Sequence, residues 1–197
     1  MTERGESYAD GGFASVTVHH PSREAISRCH EEWPGTAPKE KRRVSTKPVL
    51  LLDMDGPLAD FDTYGWERCA EAGHEFDAGF HERRHRFFTD HMPHLRHRKD
   101  ARRMIEAPGW FADLPVTPGA TEGVPELMEH FDVWVCTKPL EANPTCRDEK
   151  GAWLRRHFPA LEDRLIIAPD KSLIRGSILL DDAIKPSWVC AAEWHPV

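Results

Sequence analysis

Val49-Leu-Leu-Leu-Asp-Met-Asp-Gly-Pro-Leu-Ala-Asp60 is the stretch that decides the fold. Four apolar residues run into two aspartates one residue apart, and a glycine follows at once. Side chains alternate along a strand, so Asp53 and Asp55 share a face if the strand continues. Gly56 lets the backbone turn away directly afterwards. The reading is a pair of carboxylates at the carboxyl end of a buried strand, the edge where open α/β sheets take their ligands. Two unpaired like charges cost about 4 kcal/mol at about 4 Å and an effective dielectric of about 20. A divalent cation or a catalytic task is the expected reason for such an arrangement.

Outward from this stretch, strands alternate with helices. Helical patterns cover residues 63–72 and 98–107, and Pro118-Gly119 restarts the chain into a helix through Val124 to His130. Phe131-Asp-Val-Trp-Val-Cys136 reads as a second buried strand. Residues 145–157 are amphipathic, with Thr145 as N-cap. Residues 164–168 and 177–181 complete two further short strands, and residues 188–191 leave room for one more. This alternation predicts an α/β fold, a Rossmann-like parallel sheet flanked by helices with right-handed crossovers. The block at 62–115 breaks the rhythm and reads as a small helical cap inserted after the first strand. The core then comprises 47–61 and 116–197. Residues 1–46, punctuated by glycine and proline and ending in the charge run Lys39-Glu-Lys-Arg-Arg43, read as a disordered N-terminal tail.

Three strands end in polar residues: Asp53-Met-Asp55, Thr137-Lys138 and Asp181-Asp182, with Lys150 and Lys171 in the intervening segments. In a parallel sheet these ends meet at one edge. Carboxylates gathered there suit Mg²⁺, a hard cation with oxygen ligands. A hydroxyl and ammonium groups beside it suit a phosphate. Nothing glycine-rich is present to cradle a triphosphate, which excludes a P-loop.

Composition sets the remaining bounds. The chain has 197 residues and a net charge of -7, which argues against a nucleic-acid coat. Eight Lys/Arg against three acids between His81 and Arg103 give that segment +5 and leave -12 elsewhere, a basic patch able to attract a small anion. Five widely spaced cysteines (29, 69, 136, 146, 190) read as free thiols of a cytoplasmic protein. No apolar run is long enough to span a membrane. His81, His85, His94 and His97 have helical spacings but no convergent third ligand, so zinc is not expected.

The residues now carry a resemblance. The D-x-D-G strand end, the strand ending in threonine, the downstream lysines and the paired aspartates resemble the motifs of the haloacid dehalogenase-like phosphohydrolases. Asp53-Met-Asp-Gly-Pro-Leu-Ala-Asp-Phe61, Cys136-Thr-Lys-Pro139, Glu149-Lys-Gly-Ala-Trp153, Asp170-Lys171 and Ile178-Leu-Leu-Asp-Asp182 are similar, in order, to the 5′(3′)-deoxyribonucleotidase family. That family removes phosphate from deoxyribonucleoside monophosphates using Mg²⁺.

The resemblance implies a role for each residue. Asp53 is the nucleophile that forms an aspartyl-phosphate, and Asp55 is the acid and then the base. Asp53, the Asp55 main-chain carbonyl and one or both of Asp181 and Asp182 are the metal ligands. Thr137, Lys138, Lys150 and Lys171 bind phosphate, although family members usually have serine where this chain has Lys138. Phe61 is expected against the base, with Phe87 and Phe88 either beside it or in the cap core. The expected partner is a small nucleoside monophosphate rather than nucleic acid or membrane, and a homodimer stays open. Two other readings remain: a phosphatase of another small phosphometabolite, and a catalytically idle binding protein.

Overall fold

Residues 46–77 and 87–197 are described in the computed structural model of the chain. Its centre is β1 (Val49–Leu52), where half-buried Val49 leads into three leucines buried on both faces, as a parallel strand requires. β2 (Asp132–Thr137) and β4 (Ile178–Leu180) pair with it in parallel on either side. β3 (Leu165–Ile167) extends the sheet beyond β2, and β5 (His195–Pro196) extends it beyond β4. The order is β3-β2-β1-β4-β5, parallel throughout.

The pleat sorts the side chains into two layers. Leu50, Leu52, Val133 and Val135 face a large core shared with the helices. Leu51, Cys136 and Leu179 face a smaller one closed by Trp188 and Trp194. Gly176 lies so close to Leu51 that a Cβ there would sit 2.8 Å from Leu51 Cγ.

Among the described residues five α-helices surround the sheet. α1 (Phe61–Glu71) starts directly after the aspartate loop, with the Asp60 carboxylate accepting from the Thr63 N–H at 3.2 Å. α2 (Leu95–Ile105) carries the basic residues, and α3 (Ala120–His130) leads into β2. α4 (Cys146–His157) follows β2, and α5 (Pro186–Ala191) packs beside Lys171–Leu173.

The sequence reading placed a strand at residues 188–191; the structure has α5 there. Pro186 at its first turn is pre-set for a helix, and Trp188 uses the helical turn to reach the smaller core. The last strand forms later, where the His195 N–H donates to the Ser177 carbonyl at 3.0 Å and the Val197 N–H to Leu179 at 2.9 Å. This closing strand covers the edge of β4 that a helix at 188–191 would leave open. The 1–45 part of the expected tail and residues 78–86 of the expected cap, His81 and His85 among them, lie outside the described residues. No helix among the described residues is long and apolar enough to cross a membrane.

Candidate active site

The end of β1 is fixed before its carboxylates do anything. The Asp53 N–H donates to the Leu180 carbonyl at 2.9 Å, which holds the first aspartate against β4. The chain then folds back on itself: Leu58 and Ala59 N–H both donate to the Met54 carbonyl, and Gly56 N–H donates to Ala59 at 2.8 Å. Gly56 has φ of +90°, a conformation other residues adopt only with strain. Its missing side chain matters twice, because a Cβ there would lie 2.4 Å from Asp182 Oδ2. Thr117, at the start of the return from the cap, anchors the turn by donating its hydroxyl to the Gly56 carbonyl at 2.6 Å.

Two buried lysines divide the carboxylates between them. Lys171 is 1% exposed, and its Nζ lies 2.7 Å from Asp53 Oδ1 and 2.6 Å from Asp181 Oδ2. Asp53 Oδ1 also accepts the Met54 N–H at 2.7 Å. No described residue bonds to Asp53 Oδ2. Both Asp181 oxygens have partners, because its Oδ1 accepts from the Ala183 N–H at 2.8 Å.

Lys150 is 0% exposed and spends all three of its N–H donors. They reach Asp55 Oδ2 at 2.6 Å, Thr137 Oγ1 at 2.8 Å and the Lys138 carbonyl at 3.1 Å. Asp55 Oδ1, meanwhile, is buried with no hydrogen-bond partner. A buried acceptor without a donor is costly, so it marks a place for a ligand or a proton.

The electrostatics follow from this partition. Burial pushes the Asp53 carboxyl up to about 6, against the pull of Lys171 and with Asp55 and Asp181 adding to the rise. Burial, then the charges of Asp53 and Asp181, push Asp182 up to about 7. Asp53, Asp181 and Asp182 offer oxygens that all lie within 4.8 Å of one another. Carboxylates that resist ionising together, supplied by oxygen donors alone, fit a hard divalent cation. Among the described residues the grouping that could hold an ion contains no histidine.

The other expected site residues are spread differently. Thr137 is buried beside Lys150, whereas the Lys138 side chain is exposed and only its carbonyl enters the cluster. Phe61 stands at the start of α1, its ring 6.1 Å from Phe111 in a stacked arrangement and 5.9 Å from Phe88. Phe88 has 0% exposure and packs on Gly65, where a Cβ would lie 2.2 Å from its ring. Phe88 is therefore part of the larger core, in one cluster with Leu50 and Leu52. Phe87, next to it, is 54% exposed.

Three positioning residues went unnoticed in the sequence. The Glu149 carboxylate accepts from Gly109 N–H at 2.6 Å and Phe111 N–H at 3.0 Å, and it also takes the Thr145 hydroxyl. Asn143 Nδ2 donates to the Ile105 and Ala107 carbonyls at the end of α2. Both therefore tie the cap's exit to α4 and the loop before it. Asp62 Oδ1 accepts from the Phe88 N–H at 3.1 Å. Their chemistry is ordinary side chain to backbone bonding across long sequence gaps, for which a single sequence carries no periodic signal.

A parallel sheet of this order, with an acidic D-x-D-G strand end, a threonine strand end and a buried lysine bridging to a late aspartate, defines a haloacid dehalogenase-like hydrolase. Residues 47–187 match the family described as 5′ nucleotidase, deoxy (pyrimidine), cytosolic type C protein. The chain is 35% identical over 150 residues to a putative 5′(3′)-deoxyribonucleotidase of Bordetella pertussis, covering 71% of this chain and 80% of that one. It is 36% identical over 143 residues to the human cytosolic-type 5′(3′)-deoxyribonucleotidase, covering 68% and 69%. The mouse mitochondrial 5′(3′)-deoxyribonucleotidase is 32% identical over 166 residues, covering 80% and 73%. The chain belongs to the 5′(3′)-deoxyribonucleotidase family, and so to the phosphoric monoester hydrolases.

Proposed function

We propose that the protein is a Mg²⁺-dependent phosphatase of deoxyribonucleoside monophosphates, releasing nucleoside and phosphate through an aspartyl-phosphate on Asp53. The observation that carries this reading is the division of labour between the two lysines. Lys171 holds Asp53 Oδ1 and leaves Oδ2 without a partner, while Lys150 holds Asp55 Oδ2 and leaves Oδ1 without one. One carboxylate is thereby poised to attack and the other to handle a proton.

In the first step Asp53 Oδ2 bonds to phosphorus and the phosphorus–ester oxygen bond breaks. Asp55 delivers its proton from Oδ1 to the departing sugar oxygen. In the second step Asp55 takes a proton from water, which attacks the phosphorus and frees Asp53 with release of inorganic phosphate. The Thr137 hydroxyl and the third N–H of Lys171 are available to the phosphate oxygens, and as placed they supply charge and donors where negative charge develops. Lys150 acts chiefly by orienting Asp55.

Asp53, Asp182 and the Asp55 carbonyl would hold the metal, with Asp181 beside them. When bound it screens the attacking carboxylate from the phosphate charge and polarises the transferring group. Phe61 and exposed Phe87 are the aromatic surfaces offered to a base, whose stacking is worth about 1–3 kcal/mol and discriminates little between bases.

Phosphate release across a panel of deoxynucleotides, ribonucleotides and sugar phosphates tests the reading. Deoxynucleoside monophosphates should lead, a chelator should stop turnover, and Asp53→Asn should abolish it. A profile with no preference for nucleotides would assign the same chemistry to another small phosphometabolite. Absence of turnover on every monoester would leave an idle binding protein.

A further inference from the structure

Lys171 reaches the site from a slender support. It stands on the three-residue turn Lys171–Leu173, whereas Lys150 rises from the twelve-residue α4. Three acceptors hold the Lys150 ammonium: Asp55, Thr137 and the Lys138 carbonyl. Lys171 Nζ has two, Asp53 Oδ1 at 2.7 Å and Asp181 Oδ2 at 2.6 Å. A lysine side chain has many rotamers to lose, so fixing one on a short turn calls for further restraint.

Two buried tryptophans supply that restraint. At the root of the side chain, the Trp194 indole N–H donates to the Lys171 carbonyl at 3.2 Å, and the Ile174 N–H donates to the same oxygen at 3.1 Å. At the tip, Lys171 Nζ lies over the Trp188 ring, 5.8 Å from its centre. That is within reach of the attraction between a cation and the negative face of an indole. An aromatic face suits the place. A third carboxylate there would compete for the ammonium and draw it away from Asp53.

The pleat of the sheet explains why the tryptophans meet Lys171 where they do. Trp188 and Trp194 pack with Leu51, Cys136 and Leu179 in the smaller core. Leu51 is two residues before Asp53 and Leu179 two before Asp181. The ladder carries on past both strands, with the Asp53 N–H donating to Leu180 and the Asp181 N–H to Val197. Each leucine and its aspartate therefore fall on one face, and Lys171 meets the two carboxylates from that side. Val135, two residues before Thr137, belongs to the larger core, from which α4 brings Lys150. The two lysines come from opposite faces, and each needs its own support.

We propose that Trp188 and Trp194 are positioning residues for phosphoryl transfer, a clamp in which Trp194 anchors the root of Lys171 and Trp188 its ammonium. The clamp keeps Lys171 on Asp53 Oδ1 and so keeps Oδ2 turned to the phosphorus. The inference rests on the reading of Asp53 as the nucleophile and extends it to residues that touch neither substrate nor metal. Its effect lies in preorganisation: a nucleophile whose partner cation drifts must be re-aimed in every turnover, at a cost in rate and not in substrate affinity.

Steady-state kinetics of the Mg²⁺-loaded full chain test it, on a deoxynucleoside monophosphate and on 4-nitrophenyl phosphate. Trp188→Leu should lower kcat about tenfold or more on both substrates, with KM within about threefold of the wild type. A difluorinated tryptophan inserted at position 188 keeps the shape of the ring and weakens its negative face. It should lower kcat about threefold at an unchanged melting temperature, which a purely structural role would not do. Trp194→Phe, which loses the N–H to the Lys171 carbonyl, should lower kcat with KM again nearly constant. A kcat untouched by the fluorinated ring or by Trp194→Phe overturns the clamp, as does a loss that merely follows melting temperature. The aryl phosphate reports phosphoryl transfer whatever the natural monoester. Failure of the nucleotidase reading therefore shows separately, as a wild type with no preference for the deoxynucleotide.

Discussion

Lys171 Nζ lies 2.7 Å from Asp53 Oδ1, so the proposed nucleophile is held by a cation that is itself almost wholly buried. The same ammonium grips Asp181 at 2.6 Å. Removing one partner of a buried pair costs about 3–5 kcal/mol, because the charge left behind has no compensation. Lys171→Met is therefore expected to lower stability by about that amount at pH 8 and to stop turnover. The loss should shrink at pH 5. Without Lys171, Asp53 escapes its penalty by taking up a proton, and protons are plentiful there. Urea midpoints at the two pH values check this; an equal shift at both would mean the pair is not the reason.

Asp182 makes the opposite contribution to stability when no metal is bound. Its carboxyl titrates near 3.8 in the unfolded chain and is pushed up to about 7 in the fold by burial and by Asp53 and Asp181. The folded state then binds more protons between those values, so stability falls as pH rises from about 4 to about 7. Asp182→Asn removes this penalty. In chelator, the variant should match the wild type near pH 4 and exceed its melting temperature at pH 8. With Mg²⁺ present the order should reverse at pH 8, because binding to the folded state stabilises it and the variant has lost a ligand. Melting curves with and without the ion decide the matter, and a variant no more stable than wild type in chelator at pH 8 would refute it.

Gly65 and Phe88 give a prediction about the packing beneath Phe61. A Cβ on Gly65 would lie 2.2 Å from the Phe88 ring, and that ring is stacked 6.5 Å from Trp110 and tilted 5.9 Å from Phe61. Overpacking of this kind typically costs about 1–3 kcal/mol and shifts the neighbouring backbone. Gly65→Ala should raise KM for deoxynucleotides severalfold while leaving hydrolysis of a small aryl phosphate nearly intact, since Phe88 reaches Lys150 only through the rings of Phe61 and Phe111. Parallel kinetics on the two substrates test the separation. Equal loss on both would place the damage in the core.

What could be read from the sequence follows a physical line. Strand–helix alternation and the terminal aspartates are local patterns, so β1, β2 and β4 and the gathering of Asp53, Asp181 and Asp182 at one edge were legible. The helix at Pro186–Ala191 was misread as a strand, because in six residues Trp188 and Val189 look alike in either period. Tertiary bonds were invisible. Nothing in the spacing of Glu149 or Asn143 announces that they receive and cap the backbone of the cap exit some 36–40 positions away. Lys150 was legible as a cation at the site, but the exhaustion of its three donors on Asp55, Thr137 and Lys138 was not.

That exhaustion makes Lys150 the most informative residue to change. If its main task were to bind phosphate, its loss would weaken substrate binding first and raise KM. As placed, it has no donor to spare, and its shortest bond goes to Asp55 Oδ2. Lys150→Met would leave that oxygen without its cation, as Oδ1 already is without a partner, and would free the Thr137 hydroxyl to turn. Asp55 would then lose its orientation toward the leaving oxygen. Proton transfer by a positioned side chain is worth about 10²–10⁴-fold. The variant is expected to lose about that much in kcat with KM changed only modestly, and to lose least with a substrate whose leaving group needs no proton, such as 4-nitrophenyl phosphate. Comparison of that substrate with a deoxynucleoside monophosphate separates the two roles. A large rise in KM at nearly constant kcat would return Lys150 to the phosphate.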